Sequence, residues 1–361
     1  VTDAMRCGTR PLIFVGPYEH HSNLLPWRES GAEIIEIPEG PDGGPDIATL
    51  DRALSESNDR HLRIGAFSAM SNVTGIVTDT DRVTKMLKSR GALAVWDYAG
   101  GGPYLPIDMS PGAEEKKDAV VISCHKFVGG PGASGILVIR KSIVVTDRPT
   151  FPGGGTVSFV SPWGHDYVAD VASREEAGTP NVIGDIRAAL AFLVKEAITQ
   201  EFIDRRHREL NERALSVWQS NPRLELLGLE KGSRLPVFSF RVRDGQGGFI
   251  HHQLFTRMLS DCHGIQARGG CACAGPYAHR LLGIDRLESE EIQRTIEGGN
   301  EIGKPGWIRL NLSYLLDDHQ ADMIIEAVDQ LARSPYPIAN AYMCDPSTAR
   351  FVHRDSCHEY G

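Results

Sequence analysis

Ala119-Val-Val-Ile-Ser-Cys-His-Lys126-Phe-Val-Gly-Gly-Pro-Gly-Ala-Ser-Gly135-Ile-Leu-Val-Ile139 decides how this chain folds. An apolar run of strand character ends in Ser123-Cys124-His125-Lys126, crosses a Gly- and Pro-rich loop, and re-enters a strand at 135–139. The lysine therefore sits where a strand gives way to a loop. In an open α/β sheet, ligands bind there, outside the carboxyl ends of the strands. Alone, such a lysine is most often a solvated loop charge.

Upstream, Ala92-Leu-Ala-Val-Trp-Asp97-Tyr-Ala-Gly-Gly-Gly102 is a second short apolar strand that stops on a carboxylate followed by three glycines. A strand-end Asp and a strand-end Lys in one sheet form the pair that pyridoxal phosphate requires. The amine makes a Schiff base with the aldehyde, and the carboxylate keeps the pyridine nitrogen protonated.

The residues around this pair resemble a known family. Ser123-Cys-His-Lys126, Val95-Trp-Asp97, Glu19-His20-His21-Ser-Asn-Leu-Leu-Pro-Trp27, Ser71-Asn72-Val-Thr-Gly75 and Ala177-Gly-Thr179-Pro-Asn181 look like the class V aminotransferase group of pyridoxal phosphate enzymes. The likeness is strongest to the branch of cysteine desulfurases and selenocysteine lyases. It implies pyridoxal phosphate fold type I, an α/β architecture with a mainly parallel sheet in the large domain and a smaller C-terminal α+β domain. The expected division is 1–190 for an N-terminally incomplete cofactor domain, 191–335 for a bridging helix and small domain, and 336–361 for a tail.

Composition narrows the field. With 361 residues the chain can bury a large core in two lobes. Lys plus Arg number 38 against 47 Asp plus Glu, a net charge of −9 with no basic stripe, which argues against nucleic acid. No run approaches the roughly 18 apolar residues of a membrane span. The expectation is a soluble cytoplasmic protein. Seven cysteines, an odd number scattered without an export signal, read as thiols rather than a disulfide framework.

Strand patterns at 11–15, 33–37 and 62–67 alternate with helical ones at 47–55 and 79–88, predicting βαβ units with right-handed crossovers. A helical run follows over 183–220, with Ile186, Leu190, Leu193 and Ala197 on one face and Pro222 beyond its end. Strands at 237–242 and 307–313 and helices at 251–259 and 321–332 complete the small lobe. The stretch from Pro335 shows no periodicity.

The resemblance also assigns roles. It implies that His20 stacks on the cofactor ring and relays protons, and that Asn72 binds the ring hydroxyl. Ser123 and His125, beside Lys126, are expected to contact the cofactor. Thr156, in Pro152-Gly-Gly-Gly-Thr156, and Thr179 are expected to supply phosphate contacts across a homodimer interface. Arg309 is expected to grip the substrate α-carboxylate through its guanidinium fork.

Arg268-Gly-Gly-Cys271-Ala-Cys273-Ala resembles the desulfurase loop Arg-x-Gly-x-x-Cys-Ala, which makes Cys273 the sulfur-accepting thiol. Arg268 would help hold the thiolate, and Cys271 is an additional cysteine. Cys-x-Cys without a second spaced pair is poor zinc spacing, so no metal is expected. Two departures stand out. The family carries a further Gly-Thr-Thr phosphate loop N-terminal to His20, which this chain is expected to lack, and a Gln of the desulfurases falls here on Gly100.

The reaction implied is release of sulfur from cysteine as an enzyme persulfide, with alanine formed and the sulfur passed to an acceptor protein. An aminotransferase, epimerase or carbon-sulfur lyase, or a non-catalytic family member, are the alternatives.

Overall fold

The computed structural model describes Val1, Met5, 8–229 and 232–355, so Cys7 and Cys357 lie outside the described residues. The chain opens with β1 (Leu12–Val15), α1 (His21–Glu29), β2 (Glu33–Glu36), α2 (Ile47–Glu56), β3 (Arg63–Ser68), α3 (Thr80–Ser89), β4 (Leu93–Asp97), β5 (Ala119–Ser123) and β6 (Gly135–Ile139). These strands form a six-stranded sheet of order β2-β1-β3-β4-β5-β6, parallel throughout except for β6. The helices begin where a carboxylate can accept from their free amides. Asp46 accepts from Thr49 N–H at 2.7 Å and Asp79 from Arg82 N–H at 3.0 Å. Phe14, Leu50, Leu87 and Trp96 are fully buried between the sheet and its helices.

A hairpin, β7 (Val157–Ser161) and β8 (Gly164–Tyr167), and the short α4 (Val171–Glu175) lead to α5 (Val182–Ile198) and α6 (Gln200–Trp218). The single helical run read from the sequence is thus broken in two. Thr199 takes a left-handed φ of 70°, and its side chain caps α6 by accepting from Phe202 N–H. The apolar face of α5 read from the sequence is not the one that packs inward. Ala188 and Ala191 face the sheet core, while Ile186, Leu190 and Leu193 are exposed.

The second lobe contains β9 (Leu224–Leu226), β10 (Val237–Arg243), β11 (Phe249–Ile250), α7 (His252–His263), β12 (Arg268–Gly270), α8 (Gly275–Leu282), α9 (Arg286–Glu297), β13 (Trp307–Asn311) and α10 (Asp318–Arg333). Its antiparallel sheet runs β11-β10-β13-β12 with β9 beside β10. Trp218, Phe238, Phe240 and Phe255 fill its core. Past Pro335, where no period was readable, α11 (Tyr336–Ala339) and a hairpin of β14 (Tyr342–Asp345) and β15 (Arg350–His353) pack onto this core through Tyr342 and Phe351. Two four-residue strands are too short to show a pattern in the sequence.

Candidate active site

Because β1, β3, β4 and β5 are parallel, their carboxyl ends share one edge, and the segments following them deliver the site residues. After β1 come Glu19 and His20, after β3 comes Asn72, β4 ends on Asp97, and β5 ends on Ser123, followed by a single tight turn carrying Cys124, His125 and Lys126. Glu19, fully enclosed, ties the first two segments together. It accepts from Ser68 N–H at 2.9 Å, Ser68 Oγ at 2.6 Å and Asn23 Nδ2 at 2.6 Å. Burial outweighs those donors and pushes its carboxyl up to about 7.

Lys126, Asp97 and His20 lie within one another's electrostatic reach. Burial raises the Asp97 pKa, while Ala99 N–H, donating to its Oδ1 at 2.6 Å, and the charges of Lys126 and His20 oppose the rise. The Lys126 side chain remains exposed, yet its neighbours desolvate it enough to lower its pKa. Asp97 opposes that shift, and Arg309 and Arg268 add to it. Desolvation likewise lowers the pKa of His20, with Lys126 reinforcing it.

The small lobe contributes the opposite wall. Arg268 on β12 and Arg309 on β13 are direct cross-strand partners, two guanidiniums side by side with no carboxylate paired to either among the described residues. Desolvation, then the charge of Arg268, lower the Arg309 pKa. Arg309 donates to the Asn72 carbonyl at 2.9 Å. Arg268 Nη2 lies 3.6 Å from Cys273 Sγ, and that sulfur sits in the field of both Lys126 and Arg309. Cys271, two residues earlier, packs instead against an apolar cluster of Tyr18, Val73 and Tyr277.

The sequence profile of class-V aminotransferases matches residues 4–287, most of the chain. The chain belongs to the class-V aminotransferase family. Among curated relatives, a probable cysteine desulfurase of Pyrococcus abyssi is 30% identical over 278 residues, 74% of this chain and 64% of that protein. One from Vibrio cholerae is 28% identical over 296 residues, 79% and 69% of the two chains. The chain thus spans under two thirds of the length of the first of these relatives. Among solved structures, the apo cysteine desulfurase of Thermococcus onnurineus superposes with a TM-score of 0.72 at 24% identity, covering 90% of this chain and 73% of that one. The desulfurase CsdA of Escherichia coli gives 0.71 over the same shares. These two show the fold, pyridoxal phosphate fold type I, whose mainly parallel sheet the large lobe reproduces.

Class-V aminotransferases depend on pyridoxal phosphate, and the residues present fit the ring end of that group. An amine, a buried carboxylate and an imidazole converge at one edge, and Asn72 Oδ1 is buried without a partner among the described residues, a polar atom left for something to satisfy. Asn72 Nδ2 is already committed to the Ala272 carbonyl at 2.8 Å, a contact no sequence pattern suggested. Ser123 is half-buried at the end of β5 and His125 is exposed beside it.

Thr156 and Thr179 are not brought to this cluster within one chain. The Thr156 hydroxyl closes its own turn by donating to Gly153 O at 2.7 Å, and Thr179 faces solvent. Their loops instead meet each other, Gly178 N–H donating to Gly154 O at 2.7 Å. At Gly100 an added Cβ would lie 3.7 Å from Met70 and 3.9 Å from Asn72, so the position borders the site with room to spare. Tyr98 points away, its hydroxyl donating to Thr80, and the Tyr104 hydroxyl accepts from Asn311 Nδ2 at 3.0 Å. Sequence reading gave no role to Glu19 or His21, which only their adjacency to His20 could have flagged.

Proposed function

We propose that this chain is a pyridoxal phosphate-dependent cysteine desulfurase that converts L-cysteine to alanine and holds the released sulfur on Cys273. The observation that carries this reading is the placement of the Cys273 thiol, presented by the small lobe beside Arg268 and within the field of Lys126 and Arg309. The curated relatives named above support it.

In this reading Lys126, Asp97, Asn72, His20, Ser123 and His125 hold the cofactor, with Thr156 and Thr179 reaching the phosphate from a second copy. Pyridoxal phosphate supplies an electron sink that weakens the bonds around the substrate α-carbon. Asp97 keeps a proton on the pyridine nitrogen, and its buried carboxylate needs that cation as a partner. Lys126 Nζ, its basicity lowered by desolvation, takes and returns the α-proton. The guanidiniums of Arg309 and Arg268, with no carboxylate paired to either among the described residues, receive the substrate carboxylate.

Cys273 Sγ attacks the substrate sulfur. The bond from sulfur to the β-carbon breaks, the electron pair stays with carbon, and that carbon takes a proton. The outcome is alanine and a persulfide on Cys273, which an acceptor thiol then removes. The free thiols of Cys124, Cys262, Cys271, Cys273 and Cys344 suit a reducing, cytoplasmic setting. Among the described residues no helix is long and apolar enough to cross a membrane.

The face of α5 supports a homodimer. Ile183, Ile186, Leu190 and Leu193 stand exposed together, and Trp163 at the tip of the β7–β8 hairpin is 92% exposed. A second copy on this face would cover that surface and complete the phosphate end.

The test is to supply cofactor, L-cysteine and a reductant and to measure sulfide and alanine. Cys273→Ser should abolish sulfide while Cys271→Ser retains most of it. Sulfide output unaffected by Cys273→Ser would overturn the assignment. Gly100 favours a second reading, a transaminase or carbon-sulfur lyase with no persulfide step, because the ring hydroxyl gains no side-chain donor there. Amino transfer to a keto acid without sulfide would decide for it.

A further inference from the structure

The turn that presents Cys273 is held in an unfavourable shape. Residues 271–274 are closed by Ala274 N–H donating to the Cys271 carbonyl at 3.2 Å, and the two central residues, Ala272 and Cys273, have φ of 55° and 58°. Left-handed backbone is costly for residues with a Cβ, and two in succession persist only where the surroundings impose them.

The restraint comes from the large lobe. His21 N–H donates to the Cys273 carbonyl at 3.0 Å, and the His21 imidazole Nε2 accepts from Gly275 N–H at 3.0 Å. Asn72 Nδ2 holds the preceding carbonyl, that of Ala272, at 2.8 Å. Gly275 permits the close approach: a Cβ there would meet His21 Nε2 at 3.2 Å. His21 thus grips the turn on both sides of Ala274, from a position some 250 residues away in sequence.

We propose that His21 is a positioning residue for sulfur transfer, a clamp that keeps the strained thiol turn folded against the cofactor edge. This rests on Cys273 being the sulfur acceptor. The imidazole does no chemistry itself. By accepting at Nε2 it carries its proton on Nδ1, and it fixes the Gly275 amide, and with it the entry into α8. Losing that grip lets the turn relax toward ordinary backbone angles and carries the sulfur away from the site.

The experiment compares wild type, His21→Ala and His21→Gln, loaded with pyridoxal phosphate, by three readouts. These are amide exchange over residues 271–276, the rate of Cys273 alkylation by iodoacetamide, and kcat and KM for L-cysteine. Both variants keep the main-chain bond to Cys273, and glutamine's Oε1 can still accept from Gly275. In His21→Ala, exchange and alkylation should rise about tenfold, the worth of one hydrogen bond. Its kcat should fall severalfold with KM little changed, and His21→Gln should recover most of both.

The exposed Cys262 must alkylate equally in all three proteins, which reports an intact fold. Unchanged exchange and alkylation in His21→Ala, or no recovery in His21→Gln, would overturn the clamp. Because exchange and alkylation need no turnover, a wild type that releases no sulfide would instead sink the desulfurase reading.

Discussion

Replacing His207 with phenylalanine should flatten the acid limb of the protein's stability curve. His207 lies on α6, 3% exposed, edge-on to Tyr104 at 5.3 Å and tilted against Tyr314 at 5.7 Å, and neither ring nitrogen finds a partner among the described residues. Burial pulls its pKa from 6.5 to about 4, weakly opposed by Asp204. Between those values the unfolded chain takes up a proton that the folded chain refuses, so stability falls as pH falls through that window. At about 1.4 kcal/mol per pKa unit, moving from about pH 7.5 to about pH 5 costs about 2 kcal/mol at this one residue.

Phenylalanine keeps the aromatic volume and has nothing to protonate. Urea unfolding of both proteins at both pH values measures the difference. His252, also pulled down to about 4, is present in each and cancels. At neutral pH the variant should be at least as stable as wild type, since two unpaired polar atoms leave the interior. A phenylalanine variant that loses as much stability on acidification as the parent would refute the reasoning.

Lys126→Ala should abolish the near-visible absorbance that added pyridoxal phosphate gives the wild type, checked by titrating cofactor into each protein. Asp97→Asn should still bind cofactor but lower kcat by about 100-fold or more, because an amide cannot hold the ring nitrogen as a cation; steady-state alanine formation reports it. Arg309→Lys should raise KM for L-cysteine by about tenfold to a hundredfold with a smaller change in kcat, since a point charge replaces a two-toothed donor. Leu190→Asp, on the exposed face of α5, should shift the protein from dimer to monomer in light scattering. A wild type that is monomeric at micromolar concentration would refute that interface.

Much of the fold could be read without coordinates. Trp96 and Asp97, and Ser123 through Lys126, announce themselves because an apolar strand ending in a charged residue is a local pattern. Strand alternation then makes the sheet parallel and puts both charges at one edge. The small lobe was visible through the periods of β10, α7, β13 and α10. The sequence was silent where burial depends on a partner surface. The period of α5 marks an apolar face but not whether anything covers it, and Ile186 and Leu190 proved to be exposed. Thr199 broke the helical run through a backbone angle its residue type does not advertise.

What the sequence determined by itself is the inventory of chemistry: an amine, a carboxylate, two guanidiniums and a thiol, all but Arg309 at the end of an element or in a Gly-rich loop. Tertiary structure alone decided that these meet. The contacts of His21 with Cys273 and Gly275, of Asn72 with Ala272, and of Arg309 with Asn72 join residues two hundred or more positions apart. Local propensity specifies backbone shape over a turn or two. Which carbonyl a distant amide finds depends on how two separately built cores dock, and that information is spread over every side chain in their interface.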